Sequence, residues 1–352
     1  MDTNSRSDAR NVPRRRVLQG AGVTTIAGLA GCAGVLGSGS GGSDPITVAY
    51  MPIYPDMQYF VMEEEGYFDE MGVTVDGQQF SDGPSIVKAY ASGDIDVAMF
   101  GIVPAMIVID RGIPAKVVAA NIKEAMGILA HEEFAALWDP ENAAQSFAQW
   151  EERKGRPFDF GTFPEGSVPD ILLRYWLIDE HGLEPGVAAD VVGASGANAV
   201  FQGLANGEFD GTSIMEPVPT KVQENGLPYE YIATAGEFMP GQPAAITLMN
   251  DDIRGTEAAT EFVRQHRRAT EFVEANRDRA AEHASAVIGE QSLSIPMGKK
   301  AMESPLSNFV TDPHEIESGV EVFTEYAARL GRTDAKLSAD RIFDFSAYDE
   351  LN

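Results

Sequence analysis

The chain contains one cysteine in 352 residues, Cys32. That excludes a disulfide framework and any zinc site built on cysteines. Histidine is also scarce. The five residues, His131, His181, His266, His283 and His314, include no two at helical metal-ligand spacing, so no metal site is expected. Lysine occurs only eight times, against 54 Asp and Glu, and the formal net charge is -28. No basic patch exists to meet a phosphate backbone, so nucleic-acid binding is excluded. The apolar run after Arg16 ends at Gly31, short of the roughly 20 residues a membrane span needs. With 44% hydrophobic residues the chain can build a core, which excludes global disorder. Its length suits two domain-sized cores of about 100–200 residues each.

The charge is unevenly placed. Residues 1–31 carry five Arg and two acids, which leaves a net of -31 on the remainder. An acidic, Lys-poor body suggests folding in high salt, as in a halophilic archaeon, where screening removes most of the carboxylate repulsion.

The N-terminus reads as an address. Arg14, Arg15 and Arg16 precede a short, small-residue apolar run, which is the export-signal pattern, and the paired arginines resemble a twin-arginine signal. Leu29-Ala30-Gly31-Cys32 resembles a lipobox, in which the cysteine becomes the lipidated first residue of the mature protein. A tether rich in Gly and Ser, residues 37–43, follows. The expected layout is a signal peptide over 1–31, a tether over 32–44 and a folded body beyond.

The body alternates strands and helices. Strands are expected at Ile46–Met51, Val73–Phe80, Ile95–Met99 and Lys116–Ala120, with helices near 57–65, from Pro84 to Ala91, and over 103–111. The pattern restarts with strands at Phe158–Thr162, Asp190–Val192 and Phe209–Ile214, helices around Ile171–Trp176 and Asn198–Ala205, and a return strand at Ala244–Met249. From 256 onward the sequence is mostly helical. This alternation predicts an α/β fold with mostly parallel sheets flanked by helices. One unit recurs: a helix stopped at Ser92-Gly93 before Ile95-Asp96, and a helix stopped at Asn206-Gly207 before Phe209-Asp210. The spacing of 114 residues is too long for a solenoid and points to two related lobes.

Five blocks then carry a resemblance. They are Glu65-Gly66-Tyr67-Phe68-Asp69-Glu70-Met71-Gly72-Val73, Gly83-Pro84-Ser85-Ile86-Val87-Lys88-Ala89 with Ser92–Asp96, Phe100-Gly101-Ile102-Val103-Pro104, Glu165-Gly166-Ser167-Val168-Pro169, and Met215-Glu216-Pro217. In this order they resemble the nitrate/sulfonate/taurine-type substrate-binding proteins of ABC importers, a superfamily that also has a thiamin-pyrimidine branch. The stretch 132–157, with Phe134, Trp138, Phe147 and Trp150, matches poorly.

The resemblance implies a two-lobed periplasmic-binding-protein-like clamp. Lobe 1 would comprise 45–125 plus 245–352 and lobe 2 126–244, with crossings near 121–131 and 240–250. It implies capture of a small molecule for an ABC permease and ATPase, by a monomer held outside the cell membrane through lipid on Cys32. It implies no catalytic residue and no cofactor.

Ligands of open α/β sheets sit beyond the strand C-termini. The expected ligand contacts are therefore Tyr54, Tyr59, Ser81, Asp82, Gly83, Ser85, Phe100, Gly101, Glu165, Gly166, Ser167, Met215 and Glu216. Helix N-termini at these ends would favour an anion, whereas Glu216 would favour an amine. No Arg lies in the strand-end segments to clamp an oxyanion. Ser81, Asp82 and Ser167 also suit helix capping, and Gly83, Gly101 and Gly166 suit tight turns.

Enzyme signatures fail. Ser85-Ile86-Val87-Lys88 matches S-x-x-K without a following K-T-G, and Gly193-Ala194-Ser195-Gly196-Ala197 lacks the last glycine of G-x-S-x-G. The Cys-rich motif of the pyrimidine-synthase branch is absent. The alternatives kept open are a binder or enzyme for a thiamin pyrimidine precursor, and a ligand sensor that presents to a receptor.

Overall fold

The computed structural model describes residues 45–352. The signal peptide, Cys32 and the tether lie outside the described residues.

The chain lays down β1 (Ile46–Tyr50), β2 (Val75–Gln79), β3 (Val97–Gly101) and β4 (Ala115–Lys123), then crosses over. It builds β5 (Gly127–His131), β6 (Phe158–Thr162), β7 (Ala189–Gly193), β8 (Gly211–Ile214) and β9 (Tyr229–Thr234). It returns as β10 (Pro243–Asn250) and a two-residue strand, β11 (Asn308–Phe309). Two sheets result, ordered β11-β4-β10-β3-β1-β2 and β7-β6-β8-β5-β9. Helices flank both, so each sheet and its helices form one lobe of an α/β fold.

Most strands in each sheet share a direction. The exceptions are the strand that enters after each crossing and the two-residue β11, which pairs antiparallel with β4. β10 inserts antiparallel between β3 and β4, and β5 inserts antiparallel between β8 and β9. A short crossing leaves no room for a helical return, which a parallel entry would need.

β1 and β3 are almost continuously apolar and buried, as expected of strands covered on both faces. The helix Gly83–Ser92 starts at Asp82, whose carboxylate accepts the Ser85 N–H at 2.8 Å. It ends at Gly93, which takes the left-handed conformation (φ 78°) that an L side chain would resist. Gly207, its counterpart in the other half, is also left-handed. The glycine stop is thus structural in both copies of the repeated unit.

The poorly matching stretch is ordered by its aromatics. The helix Ala143–Lys154 carries Phe147 and Trp150 three positions apart, hence on one face. They pack with Phe134, Phe158, Phe160 and Trp176 into a separate core for lobe 2, in which Phe134 and Phe158 lie 4.4 Å apart. The strand expected from Phe209 begins instead at Gly211. Phe209 is used elsewhere: its ring fills the space over Gly161 and Gly203, where a Cβ at either glycine would collide with ring carbons. Gly161→Ala is expected to destabilise the protein by about 1–3 kcal/mol through overpacking. Urea denaturation would measure this, and Gly161→Ala combined with Phe209→Leu should recover part of the loss.

Candidate functional site

The lobes are joined at two crossing segments. At the first, Glu124 takes a positive φ of 52°, unusual for a residue with a side chain. The second crossing holds it there. The Glu124 N–H donates to the Gln242 carbonyl at 2.8 Å, and its carboxylate accepts the Gly241 N–H at 2.8 Å.

Beyond the crossings, strand ends of the two lobes meet in two groups. In the first, the end of β3 meets the start of the helix that follows β6. A Cβ on Gly101 would sit 3.6 Å from a Val168 methyl in the opposite lobe and 3.6 Å from Pro104 Cδ. Gly83 presses on the same proline, where its Cβ would lie 2.9 Å from Cγ. Gly83, Gly101 and the start of the helix Val168–Tyr175 thus converge, and the glycines give the backbones room.

Next to this point, Gly166 is left-handed (φ 78°), and the Arg332 side chain from the C-terminal part of the chain lies across it. Arg332 Nη2 is 3.3 Å from Glu165. The carboxylate of Asp170, 1% exposed, accepts the Gly166 N–H at 2.9 Å and pairs with Arg174 at 2.9 Å. Burial raises the Asp170 pKa, opposed by Arg174 and the Gly166 N–H. The Ser167 hydroxyl is buried without a hydrogen-bond partner, although the residue stands at the helix N-cap.

The second group forms around Glu216, which is 2% exposed and joined to Pro217 by a cis bond. Its carboxylate accepts the Thr220 N–H at 3.1 Å. Burial raises its pKa, opposed by hydrogen bonds from Ser304, Thr220 and Tyr231. Ser304 belongs to the return segment, so this cluster also spans the lobes. Tyr54 stands close enough to Glu216 for the charge to add to the upward shift that burial imposes on its phenol. The Tyr54 O–H donates to Ser307 Oγ at 2.7 Å, because the Ser307 hydroxyl is itself committed to the Ala301 carbonyl.

The structure separates the expected contacts. Gly83, Gly101, Glu165, Gly166 and Ser167 converge in the first group, and Tyr54 and Glu216 in the second. Met215 is half-buried against the lobe 1 core. Asp82 is a helix cap that also accepts the exposed Ser81 hydroxyl at 2.9 Å; the Ser85 N–H it holds lowers its pKa. Two expectations need correction. Tyr59 is 1% exposed and stacks on Tyr50 with centroids 3.7 Å apart, because Gly77 leaves a slot for its hydroxyl end. Phe100 is fully buried in the lobe 1 core. Neither offers an open wall to a ligand.

The helix N-termini are not free for an anion. The helices starting after Asp82, Ser167 and Pro217 already hold carboxylates of their own on Ser85 N–H, Gly166 N–H and Thr220 N–H. An incoming anion would meet these charges before any free donor. Sequence reasoning missed Arg332, Asp170, Arg174, Tyr231 and Ser304. Asp170 and Arg174 were legible as an i,i+4 pair. Arg332 gave no local signal, since its partner Glu165 lies 167 positions earlier. Among the described residues no group of three or more His, Cys, Asp or Glu could hold a metal, and no helix is long and apolar enough to cross a membrane.

The architecture is that of the periplasmic-binding-protein-like fold. The ligand-binding component of an ABC-type import system from Staphylococcus aureus, solved with zinc bound, superimposes with a TM-score of 0.68 at 16% identity, covering 88% of this chain and 99% of that one. The periplasmic nitrate-binding protein of Synechocystis PCC 6803 gives 0.68 at 16% identity over 87% of each chain. The periplasmic aliphatic sulphonate binding protein of Escherichia coli gives 0.69 at 14% identity, over 86% of this chain and 98% of that one. At these identities the likeness is one of fold. Residues 40–289 match the model of the NMT1-like family, and the chain belongs to that family. A candidate binding protein of Brucella abortus is 23% identical over 245 residues, 68% of this chain and 70% of that protein.

Proposed function

We propose that the protein is the solute-binding component of an ABC importer, which closes its lobes over one small molecule and hands it to a permease and ATPase. Its moving bodies are 45–125 with 245–352, and 126–244. It acts outside the cell membrane as a monomer, held by lipid on Cys32 after a twin-arginine signal is removed, and its acidic surface suits high salt. It carries out no chemistry on the ligand. The observation that most supports this reading is the Ser167 hydroxyl, buried and unpartnered where Gly101 of one lobe meets Val168 of the other. The Thr212, Ser213 and Thr333 hydroxyls are likewise buried without a partner, so it is the place of Ser167 at the meeting of the lobes that supports a partner from outside the chain.

Ligand contact is assigned to Ser167, Gly166, Gly101 and Gly83 in the first group and to Tyr54, Met215 and Glu216 in the second. Ser85 and Asp82 hold the first helix in place. Glu216, with hydroxyls around it, favours a ligand bearing N–H donors, and this supports a second reading in which the solute is a nitrogen heterocycle of the thiamin-pyrimidine type.

The test is a melting-temperature screen of the purified protein against sulfonates, nitrate, amines and aminopyrimidines, followed by titration of any hit. A ligand that binds the folded state raises the melting temperature as its concentration exceeds its dissociation constant. Ser167→Ala should leave the ligand-free melting temperature unchanged, since its hydroxyl bonds nothing, yet weaken binding about tenfold, the effect of one lost hydrogen bond of about 1.4 kcal/mol. A Ser167→Ala protein with native affinity for the hit would remove this serine from the site.

A further inference from the structure

We infer that the C-terminal part of lobe 1 carries a two-point latch that holds the lobes closed, with Tyr326 fastened to Asp179 and Arg332 seated over Gly166 on Glu165. The inference rests on the reading of the protein as a closing clamp.

Both latch donors come from one piece of lobe 1, the helix Glu317–Arg329 and the turn after it. That turn is tied down within its own lobe: the Arg332 N–H donates to the Ala327 carbonyl at 2.7 Å and the Asp334 N–H to Asp110 at 2.7 Å. Both acceptors come from one piece of lobe 2, the loop before the helix Val168–Tyr175 and the π-helical turn Trp176–Glu180 that ends it. A π-turn holds more residues than an α-turn, so Asp179 is rotated off the phase set by the buried face of Ile171 and Leu172. It meets the Tyr326 hydroxyl, which donates to Asp179 Oδ2.

The surroundings prepare each point. Tyr326 is 3% exposed and has Tyr175 6.5 Å away, edge to face, with Tyr175 in turn stacked on Phe238 of the second crossing. Opening the lobes would strip this hydroxyl of its partner and expose the rings. At the other point Glu165 is held between two guanidinium groups, Arg174 at 3.4 Å and Arg332 at 3.3 Å. Arg174 is itself fixed by Asp170, so Glu165 is oriented by its own lobe to receive Arg332. Gly166 completes the seat: a Cβ there would come within 2.8 Å of Arg332 Cγ and Cδ.

The two points should respond differently to salt. The side chains of Arg332 and Glu165 are 37% and 57% exposed, and at about 1 M salt the screening length falls to roughly 3 Å. The Tyr326 contact is a hydrogen bond from an uncharged, buried tyrosine to the exposed Asp179 rather than an ion pair, so it should depend less on salt.

The test uses the full chain without ligand, with Cys32→Ser and spin labels at Lys88→Cys and Glu152→Cys, one exposed position on each lobe. Pulsed dipolar spectroscopy reads the distance between them. The unlatched reference carries Tyr326→Phe and Arg332→Gln together. At low salt both single variants should lower the closed-to-open ratio, Tyr326→Phe about tenfold and Arg332→Gln, which breaks an exposed ion pair, about two- to fivefold. In about 2 M KCl only Tyr326→Phe should still do so. Circular dichroism and the melting temperature check that the variants fold, and Tyr326→Phe keeps the ring and its packing.

Superimposable distance distributions for native and double variant would overturn the latch, as would a native protein that is already open. The clamp reading fails separately. If the variants open the lobes but no solute binds, the latch stands and solute capture falls. If a solute binds while the distances ignore both variants, only the latch falls.

Discussion

Gly166→Ala is expected to weaken ligand binding about tenfold and to lower the melting temperature, through two separable causes. The first is conformational. Gly166 has a φ of 78°, where an L side chain costs about 1–2 kcal/mol whether or not ligand is bound. The second is steric and belongs to closure. The new Cβ would occupy the place of the Arg332 chain, which is met along Cγ, Cδ and Nε rather than at its free end, so Arg332 must leave. Titration calorimetry and thermal melts separate the two. Adding Arg332→Ala should relieve the collision but leave the Arg332–Glu165 contact missing, so it should recover only part of the affinity and none of the melting temperature. Native affinity in Gly166→Ala would mean that the lobes do not meet at this loop when ligand is held.

The second large effect concerns pH and lies in lobe 1. Asn121 of β4 ties together a buried polar network. Its amide donates to Asp56 at 3.2 Å, and its carbonyl oxygen accepts from Thr247 at 2.8 Å and lies 3.1 Å from His266 Nε2. His266 Nδ1 lies 3.0 Å from the Thr311 hydroxyl, so both ring nitrogens are used without a carboxylate partner. Burial lowers its pKa from 6.5 to about 3. Burial raises Asp56 well above 3.8, against the opposing Met51 N–H and Asn121 amide.

The signs oppose each other. Between pH 6.5 and 3 the unfolded chain protonates His266 and the folded chain does not, so stability is lost as pH falls, by about 1.4 kcal/mol per unit. Above pH 3.8 the unfolded chain releases the Asp56 proton that the folded chain keeps, so this contribution is lost as pH rises. Above pH 3.8, where both windows overlap, the two slopes oppose each other and flatten the native profile. Single variants should unmask them. Asp56→Asn removes the falling slope, so its melting temperature should rise from pH 4 to 6.5 and exceed the native value at neutral pH. His266→Gln should show the reverse slope. An Asp56→Asn profile parallel to the native one would mean that Asp56 is ionised in the folded protein.

The fold was largely legible in the sequence, and particular residues explain why. β-branched residues beside Gly and Pro marked β1 and β3, alternating aromatics marked β6, and Gly93 and Gly112 marked helix ends correctly. β9 was missed because Tyr229–Thr234 mixes exposed and buried positions at an edge and is followed by no turn signal stronger than Thr234. The helix Ala143–Lys154 was obscured by its polar composition, which aromatics compensate only once Phe158 and Phe160 are in place. The proposed site was legible only in its local parts. Gly83, Gly101, Gly166, Ser167 and Glu216 sit at strand ends, where topology alone points. Tyr59 and Phe100 share those positions but turn inward, a choice set by Gly77 and by the lobe 1 core rather than by sequence spacing. Arg332 and Ser304 reach the site from the return segment, and no periodicity links them to it.

The most direct test of solute capture is native mass spectrometry of the purified full-length protein, exposed to a small-molecule extract and exchanged into volatile buffer. One additional small mass per chain is expected, at a stoichiometry of one, and it should be largely lost in Ser167→Ala. A spectrum showing only the bare chain, before and after exposure, would contradict the claim that these two lobes close over a solute.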